Sequence, residues 1–188
     1  NPTEDPTMVL SLGLNNFADA GCTDIGSHRD HNEDCFGIET ELKKQQSDRG
    51  KSIKVKGLYI VCDGMRGHDA GEVASAMAVK TLQDYFHTHW QNSLPDEQTI
   101  REGVLLANQT LYKINLDNAR SGHSRMGTTM VMVLLQDDKF AIAHVGDSRI
   151  YRVTQSQGLE KLTTDHEVGQ REILRGVEPQ IAYARPDA

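Results

Sequence analysis

Cysteine is scarce in this chain of 188 residues, and the three present exclude more than they suggest. Cys22, Cys35 and Cys62 stand far apart, with no CxxC pair or Cys/His ladder of the kind that holds zinc. They lie in apolar, strand-like runs and read as buried, reduced thiols, as in a cytoplasmic protein. Excess positive charge is also missing. The net charge of −7 disfavours nucleic acid and anionic membrane as partners, because both attract basic surfaces. Long hydrophobic runs are absent too. Met8–Leu14 is too short to span a bilayer and lacks a basic leader and a cleavage site, so neither a signal peptide nor a membrane span is expected. The chain opens on Asn1 rather than Met, as a trimmed chain would.

What remains is ordinary for a soluble globular domain: 37% apolar and 25% charged residues, enough chain for one continuous core, and a monomer as the simplest state. No internal repeat or linker stands out. Residues 1–16 hold two prolines and little periodicity and read as a flexible arm, leaving 17–188 as the N-terminal portion of a single domain. Phe17–Ile25 and Cys35–Glu39 read as strands flanking a polar turn, and the charged stretch Glu41–Lys56 as a surface hairpin loop. Gly57–Cys62 is a buried strand feeding the turn at Asp63-Gly64. Ala76, Val79, Leu82, Phe86 and Trp90 mark one face of a helix over 71–90, and Ile100, Val104, Ala107, Leu111 and Ile114 mark a second. Strands follow at Thr128–Leu135, Phe140–Val145, Arg149–Val153 and Leu159–Leu162, and Thr164 or Asp165 could cap a last helix reaching Arg175. Strands, two helices, then strands imply a layered α+β domain rather than alternating βαβ units.

Carboxylates sit at strand-end turns: Glu33-Asp34, Asp63 beside Gly64, and Asp147. Hard divalent cations prefer such oxygen ligands and retain several waters, yet Asp-Gly is also a common turn dipeptide, so spacing alone leaves both readings open. Arg29 offers a planar fork of donors suited to phosphate, or equally a salt bridge to its own acidic neighbours. His68 suits a general acid, or simply a polar residue near a helix start. His28 and His31 read as surface.

Together these segments resemble the type 2C, metal-dependent serine/threonine protein phosphatases, in the compact bacterial style. The resemblance rests on Thr23–Asp34 (TDIGSHRDHNED), Leu58–His68 (LYIVCDGMRGH), Gly127–Val133 (GTTMVMV), Ala143–Tyr151 (AHVGDSRIY) and Leu162–His166 (LTTDH), in the family's order. It implies an αββα four-layer sandwich and hydrolysis of phosphoserine or phosphothreonine in protein substrates. Two Mg²⁺ or Mn²⁺ ions, with a third in bacterial relatives, would activate the attacking water. By the same resemblance Asp63 bridges the two ions, the Gly64 carbonyl binds one, and Glu33 and Asp34 act on it mostly through water. Asp147 serves the third ion, Arg29 holds the phosphate and His68 is the general acid.

Two departures qualify the match. The family's DGxGGH here reads Asp63-Gly64-Met65-Arg66-Gly67-His68. Where that glycine needs positive φ, Arg66 costs about 1 kcal/mol; it is either a tolerated variant or a second cation beside the phosphate. The family's later metal-binding aspartates, closing strands and helix are also expected to be absent before Ala188. Two rival readings follow: a catalytically impaired relative serving as a phosphoprotein-binding module, and an unrelated metal-dependent nuclease or hydrolase. The ordered motifs disfavour the second.

Overall fold

The computed structural model describes residues 14, 16–47, 50–65, 70–120 and 125–166. The chain's first long element is a ribbon of two antiparallel strands, β1 (Asp34–Ser47) and β2 (Gly50–Met65), registered from Asp34 opposite Asp63 to Ser47 opposite Gly50. The expected loop over Glu41–Lys56 is therefore a strand pair. Its charges disguise an alternation in which Leu42 faces Val55 and Glu41 faces Lys56. Two anchors hold it. Asp137 donates its N–H to the Val55 carbonyl at 2.8 Å, and its Oδ1 accepts from the Val55 N–H at 3.0 Å. Lys56 lies over the Trp90 ring at 5.1 Å and donates to the Trp90 carbonyl at 2.8 Å, so its stem covers apolar surface while its charge is satisfied.

The sheet is completed by β3 (Gly127–Thr128), β4 (Met130–Gln136) and β5 (Lys139–Val145), in the order β1-β2-β4-β5 with β3 also on β2. Sequence reading merges β3 and β4; the ladder breaks at Thr129, whose backbone and hydroxyl both turn to Asp63. The hairpin turn falls at Asp137-Asp138 as expected, with Asp137 at φ 56°, a conformation Asp tolerates. Beyond it β6 (Tyr151–Thr154) and β7 (Gly158–Lys161) pair as a separate two-stranded sheet.

Helices α1 (Ala70–His89) and α2 (Glu97–Arg120) follow the expected periodicity. Asp96 caps α2, its Oδ1 accepting the Thr99 N–H at 2.8 Å. The buried face of α1 runs through Ala74, Ser75, Ala78, Val79, Leu82 and Phe86, and packs with Leu58, Ile60, Cys62, Met132 and Leu134 of the sheet. Ala76, expected on that face, is exposed. Ser75, four residues before Val79, falls on the buried face instead, and its hydroxyl is satisfied there by the Glu33 carbonyl. Ile100 and Ala107 of α2 join the same core, with Val104 and Leu111 half-buried against it. Both helices lie on one side of the sheet, and the α+β class is what the sequence implies.

Other expectations need correction. Phe17–Ile25 forms no strand: the segment crosses the face of the ribbon and is held by side chains. Thr40 donates to Asp19 at 2.5 Å and Tyr59 does so at 3.3 Å, while Gly21 lies against the Phe36 ring. A strand needs a free edge to pair with, and this segment meets a face. Residues 162–166 are in neither helix nor strand, and the helix expected to follow Thr164 or Asp165, like residues 1–13 and 15 of the arm, lies outside the described residues. Of the cysteines, Cys62 is buried and Cys35 half-buried, but Cys22 is exposed because its segment is not in the core.

Candidate metal centre

The register of β1 on β2 builds the centre. Gly64 donates its N–H to the Glu33 carbonyl at 3.1 Å, which makes Glu33 and Gly64 a hydrogen-bonded pair. Asp34 and Asp63, one step inward, are then a non-hydrogen-bonded pair, the kind whose side chains stand closest. Directly opposed residues share a face, so two carboxylates project together from one side of the ribbon. Partial burial, then the charges of Asp34 and Asp147, a hydrogen bond with Asp34 and the charge of Glu33 raise the Asp63 carboxyl above its ordinary value. Asp63 is exposed as a residue, so the crowd of acidic groups carries more weight in this reading than burial does. A carboxylate pressed towards its neutral form by other carboxylates is one that a cation relieves.

The surroundings fix this pair through its backbone. The Asp63 N–H donates to Thr129 Oγ1 at 3.1 Å, and the Asp63 carbonyl accepts from the Thr129 N–H at 2.8 Å and Thr128 Oγ1 at 2.9 Å. Thr129 Oγ1 and Ser148 Oγ share a bond of 2.6 Å, tying the Asp63 strand to the turn that carries Asp147. That turn is shaped by Gly146 at φ 100°, where a Cβ would also lie 2.8 Å from Thr129. The segment Leu162–His166 closes over it. The N–H of His166 donates to the Gly146 carbonyl at 2.9 Å, Leu162 N–H to the Ile150 carbonyl at 2.8 Å, and Asp165 takes Arg149 through two nitrogens. Arg149 holds the Asp165 carboxyl below its ordinary value.

On the other side stands α1. Ser75 Oγ donates to the Glu33 carbonyl at 2.6 Å, and the Glu33 side chain packs on Gly71 of the first helical turn. Sequence reading missed Ser75, Thr129 and Ser148. For Ser75 and Thr129 the signal available was a hydroxyl in or beside an apolar run, which marks a buried partner; Ser148, between Asp147 and Arg149, offers no such signal.

Arg29 is largely exposed and reaches Glu33 at 3.7 Å, the salt bridge its spacing allowed. It nevertheless lines a cavity of about 180 Å³ with Asp24, Asn32, Glu33, Asp34 and Asp63, so a cation and two opposed carboxylates face one space. Asn32 shapes the rim, its Oδ1 accepting the Asp34 N–H at 3.0 Å. His31 lines the same cavity. His68 and Arg66 lie outside the described residues.

The donors present fit a hard divalent ion in kind: paired carboxylates, a nearby backbone carbonyl at Gly64 and room for water. Among the described residues, no three His, Cys, Asp or Glu side chains converge into a complete site. The structure thus brings Asp34 and Asp63 together, with Glu33 and Asp147 close enough for their charges to act on Asp63.

Comparison with known proteins finds similar chains. The family model described as Protein phosphatase 2C matches residues 18–175. The serine/threonine phosphatase stp of Listeria innocua is 35% identical over 158 residues, covering 81% of this chain and 56% of the relative. Protein phosphatase PhpP of Streptococcus pneumoniae is 30% identical over 170 residues, 87% of this chain and 61% of its own. The crystal structure of the serine/threonine phosphatase Stp1 from Staphylococcus aureus superposes with a TM-score of 0.68 at 33% identity, covering 94% of this chain and 65% of that one. The chain thus spans somewhat over half the length of the curated relatives it matches.

Proposed function

Because the chain belongs to the protein phosphatase 2C family, we propose that its activity is metal-dependent hydrolysis of phosphoserine and phosphothreonine in proteins. The observation that carries the reading is the cross-strand pair Asp34 and Asp63 facing the same cavity as Arg29. Asp63, Asp34 and the Gly64 carbonyl would hold Mg²⁺ or Mn²⁺, with Glu33 acting through water and Asp147 serving a further ion. When bound, the ions supply a water of lowered pKa and neutralise charge developing on the phosphoryl oxygens. Arg29 donates to those oxygens and sets the ester bond in line with the attacking water. The bond from phosphorus to the seryl or threonyl oxygen breaks, and His68 protonates that leaving oxygen. No cysteine need act as nucleophile, in keeping with the buried position of Cys62.

The net charge of −7 supports a protein rather than nucleic acid or a membrane as partner, and makes the cation site the means of holding an anionic substrate. Among the described residues no helix is long and apolar enough to cross a membrane. A monomer in the cytoplasm, with its cysteines reduced, completes the reading.

The test is phosphate release from a phosphothreonine peptide, with Mn²⁺ and with a chelator. Mn²⁺-dependent release that is lost in Asp63→Asn is the expected result. Release indifferent to chelator and to Asp63→Asn would overturn the proposal, and peptide binding without release would favour the binding module.

A further inference from the structure

Three segments meet at one carbonyl, that of Glu33: the start of β1, the end of β2 and the first turns of α1. The Gly64 N–H and the Ser75 hydroxyl both donate to it, at 3.1 and 2.6 Å. The approach is close because both facing residues are glycines. A Cβ on Gly64 would stand 2.1 Å from the Gly71 carbonyl, and one on Gly71 would stand 2.7 Å from Glu33 Oε1. Ser75 is fully buried on a helix face otherwise lined by Ala74, Ala78, Val79 and Leu82. A buried serine in a helix commonly satisfies itself on a carbonyl of the preceding turn, and Glu72 O lies 3.1 Å away for that purpose. The shorter bond goes across to Glu33 instead.

We propose that Ser75 is a positioning residue for the metal centre: its hydroxyl fixes the Glu33 carbonyl and so holds Asp34 in the register that opposes it to Asp63. The assignment rests on the metal-site reading above. Asp34 follows Glu33 directly, so any rotation of the Glu33 peptide is passed to the Asp34 backbone and to the direction of its carboxylate. Gly64 is the other donor to that carbonyl and, by resemblance, itself offers a carbonyl to an ion. One hydroxyl thus braces both strands behind the carboxylate pair. The bland alternative is that Ser75 is present only because it is small enough for the helix to approach.

Variants of the 188-residue chain separate the two. Ser75→Ala keeps the small size and removes the bond; Ser75→Cys keeps nearly the volume but offers only a weak donor. Ala107→Gly weakens the fold far from the centre and serves as the stability control. Mn²⁺ affinity is measured by titration, and amide hydrogen exchange is followed at Gly64. The expected result is about a tenfold loss of Mn²⁺ affinity in both Ser75 variants, the scale of removing a group that orients metal ligands. Gly64 exchanges faster in both, and Ala107→Gly binds Mn²⁺ as the unaltered chain does. Unchanged Mn²⁺ affinity in Ser75→Ala, or unaltered behaviour in Ser75→Cys, overturns the assignment and leaves the metal site standing. A loss matched by Ala107→Gly at equal destabilisation overturns it equally. Failure of the unaltered chain to bind Mn²⁺ overturns the metal-site reading and the assignment together.

Discussion

Replacing Gly64 by alanine puts the packing behind the centre under direct load. Gly64 has no positive φ among those the structure records, so its requirement is for space rather than for backbone freedom. A methyl there would stand 2.1 Å from the Gly71 carbonyl oxygen and 2.7 Å from the Glu33 carbonyl oxygen, both backbone atoms that no rotamer change can move aside. Either α1 lifts from the sheet or the end of β2 bends away. Overpacking of this kind costs about 1–3 kcal/mol, and stretching the Gly64–Glu33 hydrogen bond adds about 1 kcal/mol. With a urea m-value of about 2 kcal/mol/M, a total of about 2–4 kcal/mol lowers the unfolding midpoint by about 1–2 M. Gly127→Ala is the matched control, since its methyl would meet only the flexible end of Met65 at 3.4 Å. Urea unfolding followed by circular dichroism, with and without Mn²⁺, reads the outcome. Gly64→Ala should lose midpoint stability and Mn²⁺ stabilisation while Gly127→Ala keeps both. Equal midpoints for the two variants would refute the three-segment junction.

Other consequences are as specific. Asp63 is raised above its ordinary value, so its ionised form costs native stability above its unfolded pKa, and the penalty fades as pH falls below it. Asp63→Asn should therefore stabilise the cation-free chain at pH 7, with a gain that shrinks towards pH 3 in thermal melts; destabilisation at pH 7 would contradict the crowding of carboxylates. Burial pushes the Cys62 thiol up to about 12, whereas Cys22 is exposed. At pH 8 iodoacetamide should label Cys22 in the folded chain and reach Cys62 only after unfolding, as peptide mapping would report. Asp96 is held below its ordinary value by Thr99, so its cap stabilises α2 above the unfolded pKa and fades as pH falls through the lowered one. Asp96→Ala should lower the melting temperature at pH 7 by a few degrees and much less near pH 3.

How far the sequence disclosed this structure depends on whether a residue's role is local. Val79, Leu82, Phe86 and Trp90 announce a helix face because burial repeats with the helix period. The Asp137-Asp138 turn is likewise written between two apolar runs. The ribbon over Glu41–Lys56 is hidden, since the Lys56 side chain lying on Trp90 looks like solvent-exposed charge in one dimension. Phe17–Ile25 misleads in the opposite direction: it has the composition of a strand but lies on the ribbon through side-chain contacts to Thr40 and Tyr59. At the centre, Asp34 and Asp63 are named by motif, yet their juxtaposition depends on a register that no local pattern records. Ser75 and Thr129 were silent because a hydroxyl's importance lies in its partner, 42 and 66 residues away in the chain.

The opposed Asp34 and Asp63 are the heart of the proposed divalent-cation site. Counting bound Mn²⁺ by electron paramagnetic resonance in the unaltered chain, Asp34→Asn and Asp63→Asn tests it most directly. Saturable Mn²⁺ binding is expected in the unaltered chain, weakened in Asp34→Asn and abolished in Asp63→Asn while all three remain folded. Equal Mn²⁺ occupancy in Asp63→Asn and the unaltered chain would contradict it.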